Sequence, residues 1–438
     1  MKKQILSVVF LAFPTSMLWA QSGTNSPYSQ YGMGLIADEG TGFNRGMNGL
    51  GLGFHTHNQV NAGNPASYAA LDSLSFIFDV GFSGQLTNFK ANGVSLNARN
   101  AVFDYATAGF RIAKHAGISF GVVPLTTIGY NYAYTRNLNA ITSPIRQTAT
   151  DTYAGSGGLH TVYLGVGWSP VRNLSVGANV GYLWGNITRS VINSYSDASI
   201  NTLSKYYSAS INNYKVDFGA QYTAEFSKKD ALTLGVTYGL SHKLGADATC
   251  EVISKNAQTG VSSTETLTIQ DAFKLPTMYG VGLMYEHNNT WRVGADYTLM
   301  QYNKVGYADY QVVNQVVNHV QQYTLRNDVY QDRHKFTVGG EFCKNEYGRR
   351  FTDRLRYRLG ASYVTPYYKV NGVDGPKEYS VSIGVGIPIV NSIENRTALN
   401  ISAAWVRREA TNLLKENTFR LTLGLTFNEQ WFAKWKFK

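Results

Sequence analysis

The chain has 438 residues, a net charge of +11, 43 Gly and 30 Tyr, but only 10 Pro and two Cys. Charged residues make up 15%, well below the roughly 25% of an average soluble domain. Two cysteines exclude a disulfide scaffold, and their separation at Cys250 and Cys343 gives no support for a bridge. Beyond the N-terminus no long uninterrupted apolar run occurs, which excludes helical membrane spans.

Residues 1–20 read as a secretory signal peptide: Lys2 and Lys3, an apolar run, then a small residue, with the cut expected between Ala20 and Gln21. Its removal leaves a net charge of +9. Residues 21–72 have no sustained period. They are too rich in glycine for helix and too interrupted for strand, and a wide polar lumen would let them fold inside as a plug.

From residue 73 onward, period-2 alternation takes over. In "YKVDFGAQYTAEF" Tyr214, Val216, Phe218, Ala220, Tyr222, Ala224 and Phe226 share one face, opposite Lys215, Asp217, Gln221 and Glu225. "LSVGANVGYLWG", "ALTLGVTYGL", "YSVSIGVGIPIV" and "FRLTLGLTF" repeat the pattern. Strands are expected at 73–86, 99–113, 116–135, 158–169, 172–190, 208–227, 230–252, 266–287, 290–304, 334–344, 353–368, 377–390, 396–410 and 417–428, about fourteen, an even number as in bacterial barrels. Many reach about ten residues or more, longer than the usual five or six. Tight turns at 169–173, 227–230 and 287–289 alternate with longer connections at 136–157, 191–207, 253–265 and 305–333. Aromatics stand near strand ends (Trp168, Tyr182, Trp184, Trp291, Trp431), as in interfacial girdles. The expected fold is all-β: a transmembrane antiparallel β-barrel with an N-terminal lumenal hatch over 21–72 and a barrel over 73–438. The expected location is the outer membrane, with both termini in the periplasm.

Several motifs invite chemistry. The glycine run 46–53 is followed by no Gly-Lys-Ser/Thr and lacks a strand–loop–helix frame, so it is no phosphate loop. His55 and His57 have no third metal ligand at a recognisable spacing. No Gly-x-Ser-x-Gly elbow occurs. The expectation is therefore no enzyme, no catalytic residue, no metal, no cofactor and no nucleic-acid partner. In "DRLRYRLGASY", Arg354, Arg356 and Arg358 share a face that must point into the lumen, since charge on the lipid face costs about 2–4 kcal/mol at mid-depth. Such a row could draw in an anionic head group, or form an internal ion-pair network packing a plug, with Asp217, Glu225 and Asp296 as partners. The closing "FNEQWFAKWKFK", with Trp431, Phe432, Trp435 and Phe437, suits an interfacial anchor.

"GMNGLGLGF" followed by "NPASY" resembles the N-terminal signature of the outer-membrane long-chain fatty-acid transporter family (FadL-like). The matching residues are Asn48, Gly49, Leu50 and Gly51, then Asn64, Pro65, Ala66 and Ser67. "KLPTMYGVGLMYEHNNTWRVGADYTLMQY" resembles a second family element through Leu275, Pro276, Gly280, Asp296 and Tyr297. The opening "SPYSQYGMG" looks like a Bacteroidetes-type subgroup, in which some relatives serve secretion or barrel-assembly complexes. The resemblance implies a fourteen-stranded barrel with a lumenal hatch. It implies either passive uptake of hydrophobic molecules such as long-chain fatty acids, or a non-transporting barrel that docks protein partners. The partners expected are outer-membrane lipid, a hydrophobic ligand and proteins of an outer-membrane complex.

Overall fold

The computed structural model describes residues 24–37, 40–91, 93–138, 147–314, 319–389, 397–411 and 413–430. The expected signal peptide and the aromatic tail from Trp431 lie outside these residues.

Alternation produces one closed antiparallel barrel of 14 strands. We number them β1 (Ser75–Ala91), β2 (Val94–Ala113), β3 (Ala116–Asn137), β4 (Thr148–Val171), β5 (Leu174–Tyr195), β6 (Thr202–Glu225), β7 (Asp230–Gly239), β8 (Thr277–His287), β9 (Trp291–Gln301), β10 (Arg333–Cys343), β11 (Arg356–Val364), β12 (Lys377–Pro388), β13 (Ala398–Glu409) and β14 (Lys415–Gln430). Each pairs with its sequence neighbours, and β14 returns to β1 from Ser75↔Gln430 to Lys90↔Lys415. Pairing of the first strand with the last leaves the sheet without a free end strand, the arrangement that hydrocarbon demands of a backbone with no water to bond.

The faces separate a membrane barrel from a soluble sandwich. On β4, Val162, Leu164 and Val166 point outward at 45%, 60% and 47% exposure. A sandwich would bury that face; a barrel turns it to lipid. Aromatics bound the apolar band at both ends. At the short-turn end Trp291, Phe342 and Tyr357 occupy adjacent registers, with rings 4.4 and 6.5 Å apart. At the other end Tyr238 and Tyr279 are register partners, and so are Tyr363 and Tyr379.

The strand number agrees with the sequence, but two stretches do not. The strand expected over 230–252 ends at Gly239, and the one expected over 266–287 begins at Thr277. Between them, 248–255 and 262–269 form a hairpin that pairs with the extension of β6 at Thr202–Ser208, beyond the barrel wall. Leu244 and Gly245 break the run, the latter at φ 59°. The stretch 305–333, expected as a loop, holds a second hairpin, 307–314 with 319–326. The sides are also less sorted than expected. The connection between β1 and β2 is a tight turn at the long-loop end, and that between β10 and β11 covers 344–355 at the short-turn end. Strands β3 to β6 have 22, 24, 22 and 24 residues, at least twice the roughly 9–11 a membrane needs. Their surplus stands beyond the bilayer and carries the first hairpin. Cys250 and Cys343 are buried and free.

One rung series stops early. The β2–β3 ladder runs only from Ala113↔Ala116 to Ala106↔Val122. Above it β3 pairs with β4 alone, through a register shift between Pro124 and Thr126. There the hatch supplies a short strand, Leu35↔Thr127 and Ile36↔Thr126, and Ala37 N–H donates to the Leu125 carbonyl at 2.9 Å. Gly157 and Gly158 of β4 sit opposite this kink at φ 119° and 137°, conformations a side chain resists.

Candidate functional site

The lumen is occupied by residues 24–37 and 40–72, most of them buried and the others half-buried. Gly42–Arg45 makes a single helical turn and Pro65–Ala70 a 3₁₀ helix. Proline fits the first turn because its missing N–H would be unpaired there anyway. Asn64, held extended before Pro65, accepts from the Ala66 N–H at 3.1 Å and so caps the 3₁₀ helix. Its amide also donates to the Leu52 carbonyl at 2.8 Å, and Ser67 Oγ donates to the Asn64 carbonyl at 2.7 Å. Ala66 and Pro65 are buried against the wall.

The glycine run is fastened separately. Asn48 adopts φ 54° and Gly49 φ 82°, a turn that glycine and asparagine tolerate best. It brings Asn48 N–H to Ser382 Oγ at 2.9 Å and Asn48 Nδ2 to the Ser380 carbonyl at 2.9 Å. Gly51 and Leu52 N–H groups both donate to one oxygen of Asp296 on β9, at 2.7 and 2.9 Å. Gln221 on β6 donates to the Leu52 carbonyl at 2.9 Å. The two motifs that carry the resemblance, Asn48–Gly51 and Asn64–Ser67, are thus joined through Leu52, and Asp296 belongs to this fastening rather than to the arginines.

The wall meets the hatch at glycines. A Cβ on Gly235 would overlap the Leu52 carbonyl, one on Gly177 the Pro65 carbonyl, and one on Gly117 the Tyr68 carbonyl; Gly360 has the Met47 backbone against it. These four lie on β7, β5, β3 and β11, so backbone packs on backbone at several points around the barrel. Replacing Asn64 by alanine is expected to cost about 1 kcal/mol through the lost cap and to leave the Leu52 carbonyl with one donor fewer. Faster amide exchange confined to residues 52–70 would report it; unchanged exchange would count against a fastening role.

The arginine row is reorganised. Arg354 lies in a short 3₁₀ turn ahead of β11 and is not part of the lumenal row. Arg356 and Arg358 do face inward, but Asp217, Glu225 and Asp296 are not their partners. Asp217 pairs with Lys215 and Glu225 with Arg172. The central acid is Glu341 on β10. It takes Arg292 at 2.9 Å, Arg356 at 2.9 Å and Arg358 at 2.7 Å. Glu286 and Glu346 complete the balance on Arg292 and Arg356, at 2.7 and 3.0 Å, and Arg358 also donates to Asn400 at 2.6 Å. Three guanidiniums against three carboxylates leave no surplus for an anion. Asn58 of the hatch donates to Glu346 at 2.9 Å, and Arg292 lies over the Phe54 ring at 5.7 Å, so the cluster supports the hatch from the short-turn side.

The histidines do not converge. His55 Nδ1 contacts Gln221 Oε1 at 2.7 Å, whereas His57 Nδ1 contacts Asp72 at 2.8 Å. Burial pushes the His55 imidazole below its ordinary pKa. Among the described residues no group of three His, Cys, Asp or Glu could hold a metal ion.

Sequence reading missed the cavity near the long-loop end. It measures about 150 Å³ and is lined by Tyr31, Tyr130, Tyr153, Tyr207, Tyr307 and Tyr330 around Arg189. One Arg189 nitrogen donates to the Gly32 carbonyl; its Nε is buried without a hydrogen-bond partner, and no carboxylate pairs with it among the described residues. Burial holds the Tyr330 and Tyr367 phenols well above their usual range, so they stay protonated. The residues come from seven separate segments, and only the high tyrosine content hinted at them.

Solved structures share this architecture at low identity. The toluene transporter TbuX of Ralstonia pickettii is 15% identical, with a TM-score of 0.58 over 90% of this chain and 98% of that one. The toluene transporter TodX of Pseudomonas putida is 14% identical, with a TM-score of 0.57 over 91% and 100%. A FadL homologue of Pseudomonas aeruginosa is 12% identical, at 0.55 over 90% and 99%. These likenesses establish a common fold, a closed antiparallel barrel with an N-terminal plug in its lumen. No curated protein matches. A family model described as BamG matches residues 1–438, the whole length, and the chain therefore belongs to the BamG family.

Proposed function

We propose that this chain is a sealed, partner-docking barrel of an outer-membrane protein assembly, with its short turns facing the periplasm. The observation that carries this reading is the hatch: wall glycines pack on its backbone, Asp296 accepts from its Gly51 and Leu52 N–H groups, and the Glu341 cluster meets it through Asn58 and Phe54. Passage through the lumen would break those contacts together. Membership of the BamG family and the folded hairpins beyond the membrane support the same reading. Purification from native outer membranes in mild detergent, with protein and lipid mass spectrometry, tests it. The expected result is a complex of fixed stoichiometry, and slower folding of other outer-membrane barrels when the gene is deleted. Recovery of a free, lipid-loaded monomer with normal barrel folding would overturn it.

A second reading, uptake or capture of a hydrophobic carboxylate such as a long-chain fatty acid, is favoured by the Arg189 cavity and by the likeness to toluene transporters and a FadL homologue. A cavity walled mainly by aromatic rings, with the Arg189 Nε unpaired and Lys274 and Asp309 also in its lining, suits an apolar body ending in a carboxylate. Arg189→Leu is expected to weaken oleate binding by roughly tenfold to a hundredfold, the range of one charge-assisted hydrogen bond, while leaving methyl oleate unchanged. Equal affinity for acid and ester in the parent protein would remove this reading.

A further inference from the structure

The interrupted rung series between β2 and β3 leaves an edge inside the apolar band. Phe103 is in register with Phe82, and Phe82 with Leu423. Leu421 and Leu423 are exposed on the outer wall at 45% and 47%, and Phe103 is exposed at 38%. Hence Ala101–Tyr105 lies at the depth of the lipid-facing band. On its β1 side this segment is in register with the wall. On its β3 side no strand pairs with it among the described residues, because β3 joins it only below Ala106. The hatch strand at Leu35–Ile36 has taken the facing edge of β3, not that of β2. Just above, Asn25 donates to the Arg99 carbonyl at 3.3 Å, which marks the upper limit of the vacancy.

Two physical facts define an occupant. Lipid tails offer no hydrogen bonds, so an edge at this depth favours another strand over solvation by hydrocarbon. The lumen side of the cleft is polar, bordered by Ser83, Gln85, Asp104 and Thr127, whereas the outer side carries Phe103. A matching strand must therefore alternate, polar inward and apolar outward, as outer-membrane strands do. A lipid or an aromatic hydrocarbon satisfies only the outer half of this requirement.

We propose that the β2 edge at Ala101–Tyr105 docks an amphipathic strand of another outer-membrane protein, antiparallel to β2, by strand addition. This rests on the partner-docking reading above and names the surface that would serve it. The kink at Pro124, which has no N–H to offer a ladder, and the left-handed Gly157 and Gly158 hold β3 away, so the site is built into the wall.

The test uses the complex purified from native membranes. Phe103→Cys, labelled with a benzophenone maleimide, is compared with Val338→Cys on the far wall; the native cysteines are buried. Light-induced cross-linking to a protein from position 103 only is the expected result. Amides of 101–105 are expected to exchange at least about tenfold more slowly in the complex than in the isolated chain, as newly paired edge amides do. Of Ala101→Pro and Val102→Pro, one removes the N–H facing the cleft, so that one alone should dissociate the partner while the barrel stays folded. A stable complex with lipid-only cross-links, or with equal exchange in both states, overturns the docking surface but leaves the docking reading intact. Absence of any complex removes both.

Discussion

Replacing Glu341 by alanine is expected to destabilise the barrel by about 3–5 kcal/mol, the range for breaking a buried ion pair from one side. The carboxylate is buried at 2% exposure and is the common partner of Arg292, Arg356 and Arg358. Its removal leaves three guanidiniums in one place with only Glu286 and Glu346 to answer them, and with reduced access to water. Glu341→Gln should recover only part of the loss, because it restores shape and acceptors but not charge. Denaturant unfolding in detergent micelles, followed by tryptophan fluorescence, measures this directly. An unchanged midpoint would mean that water reaches the cluster and that it does not support the hatch.

A larger effect on the hatch itself is expected from Gly235→Val. The added side chain has no room beside the Leu52 carbonyl, and overpacking typically costs about 1–3 kcal/mol when neighbours can shift. The wall cannot shift, since Gly235 is in register with both Gln221 on β6 and Gly282 on β8. The hatch should therefore yield. Loss of the Gly51 and Leu52 bonds to Asp296 would follow, together with protease cleavage within 40–72 in intact barrels and a rise in ion conductance. Gly84→Val is the control, because a Cβ there meets nothing within 4 Å. Equal protease resistance of the two variants would show that the hatch does not depend on this contact.

Much of this architecture was legible because alternation reports facing. The runs around Tyr214–Phe226 and Tyr379–Ile389 placed their apolar members outward, and the strand number followed. Alternation does not report depth, however. Residues 248–255 alternate like a wall strand, yet they pair with Thr202–Ser208 outside the membrane, and only Gly245 signals the break. Nor does it report partners. The inward facing of Arg356 and Arg358 could be read from their spacing, but Glu341 is in register with Arg358 across a strand boundary, and a single sequence carries no trace of that register. Asp296 was misassigned for the same reason: its partners are main-chain N–H groups about 245 residues away, which leave no side-chain signature. The cleft beside β2 was invisible but for Pro124. The Arg189 cavity was invisible because cavities are made by what several segments fail to fill.

The glycine contacts also constrain the order in which the molecule can be made. Leu52, Pro65 and Tyr68 touch β7, β5 and β3 through main-chain atoms, in spaces too small for a Cβ. A finished barrel has no opening through which this segment could be pushed into such seats. The hatch lies ahead of every wall strand in the chain, so it is present while the sheet is still open. The β1–β14 seam joins the first and last strands to be synthesised, and it must close around a hatch already in place. The segment that shuts the lumen is thus also the former on which the wall is wrapped, and a chain that closes too early would form an empty cylinder with no route back.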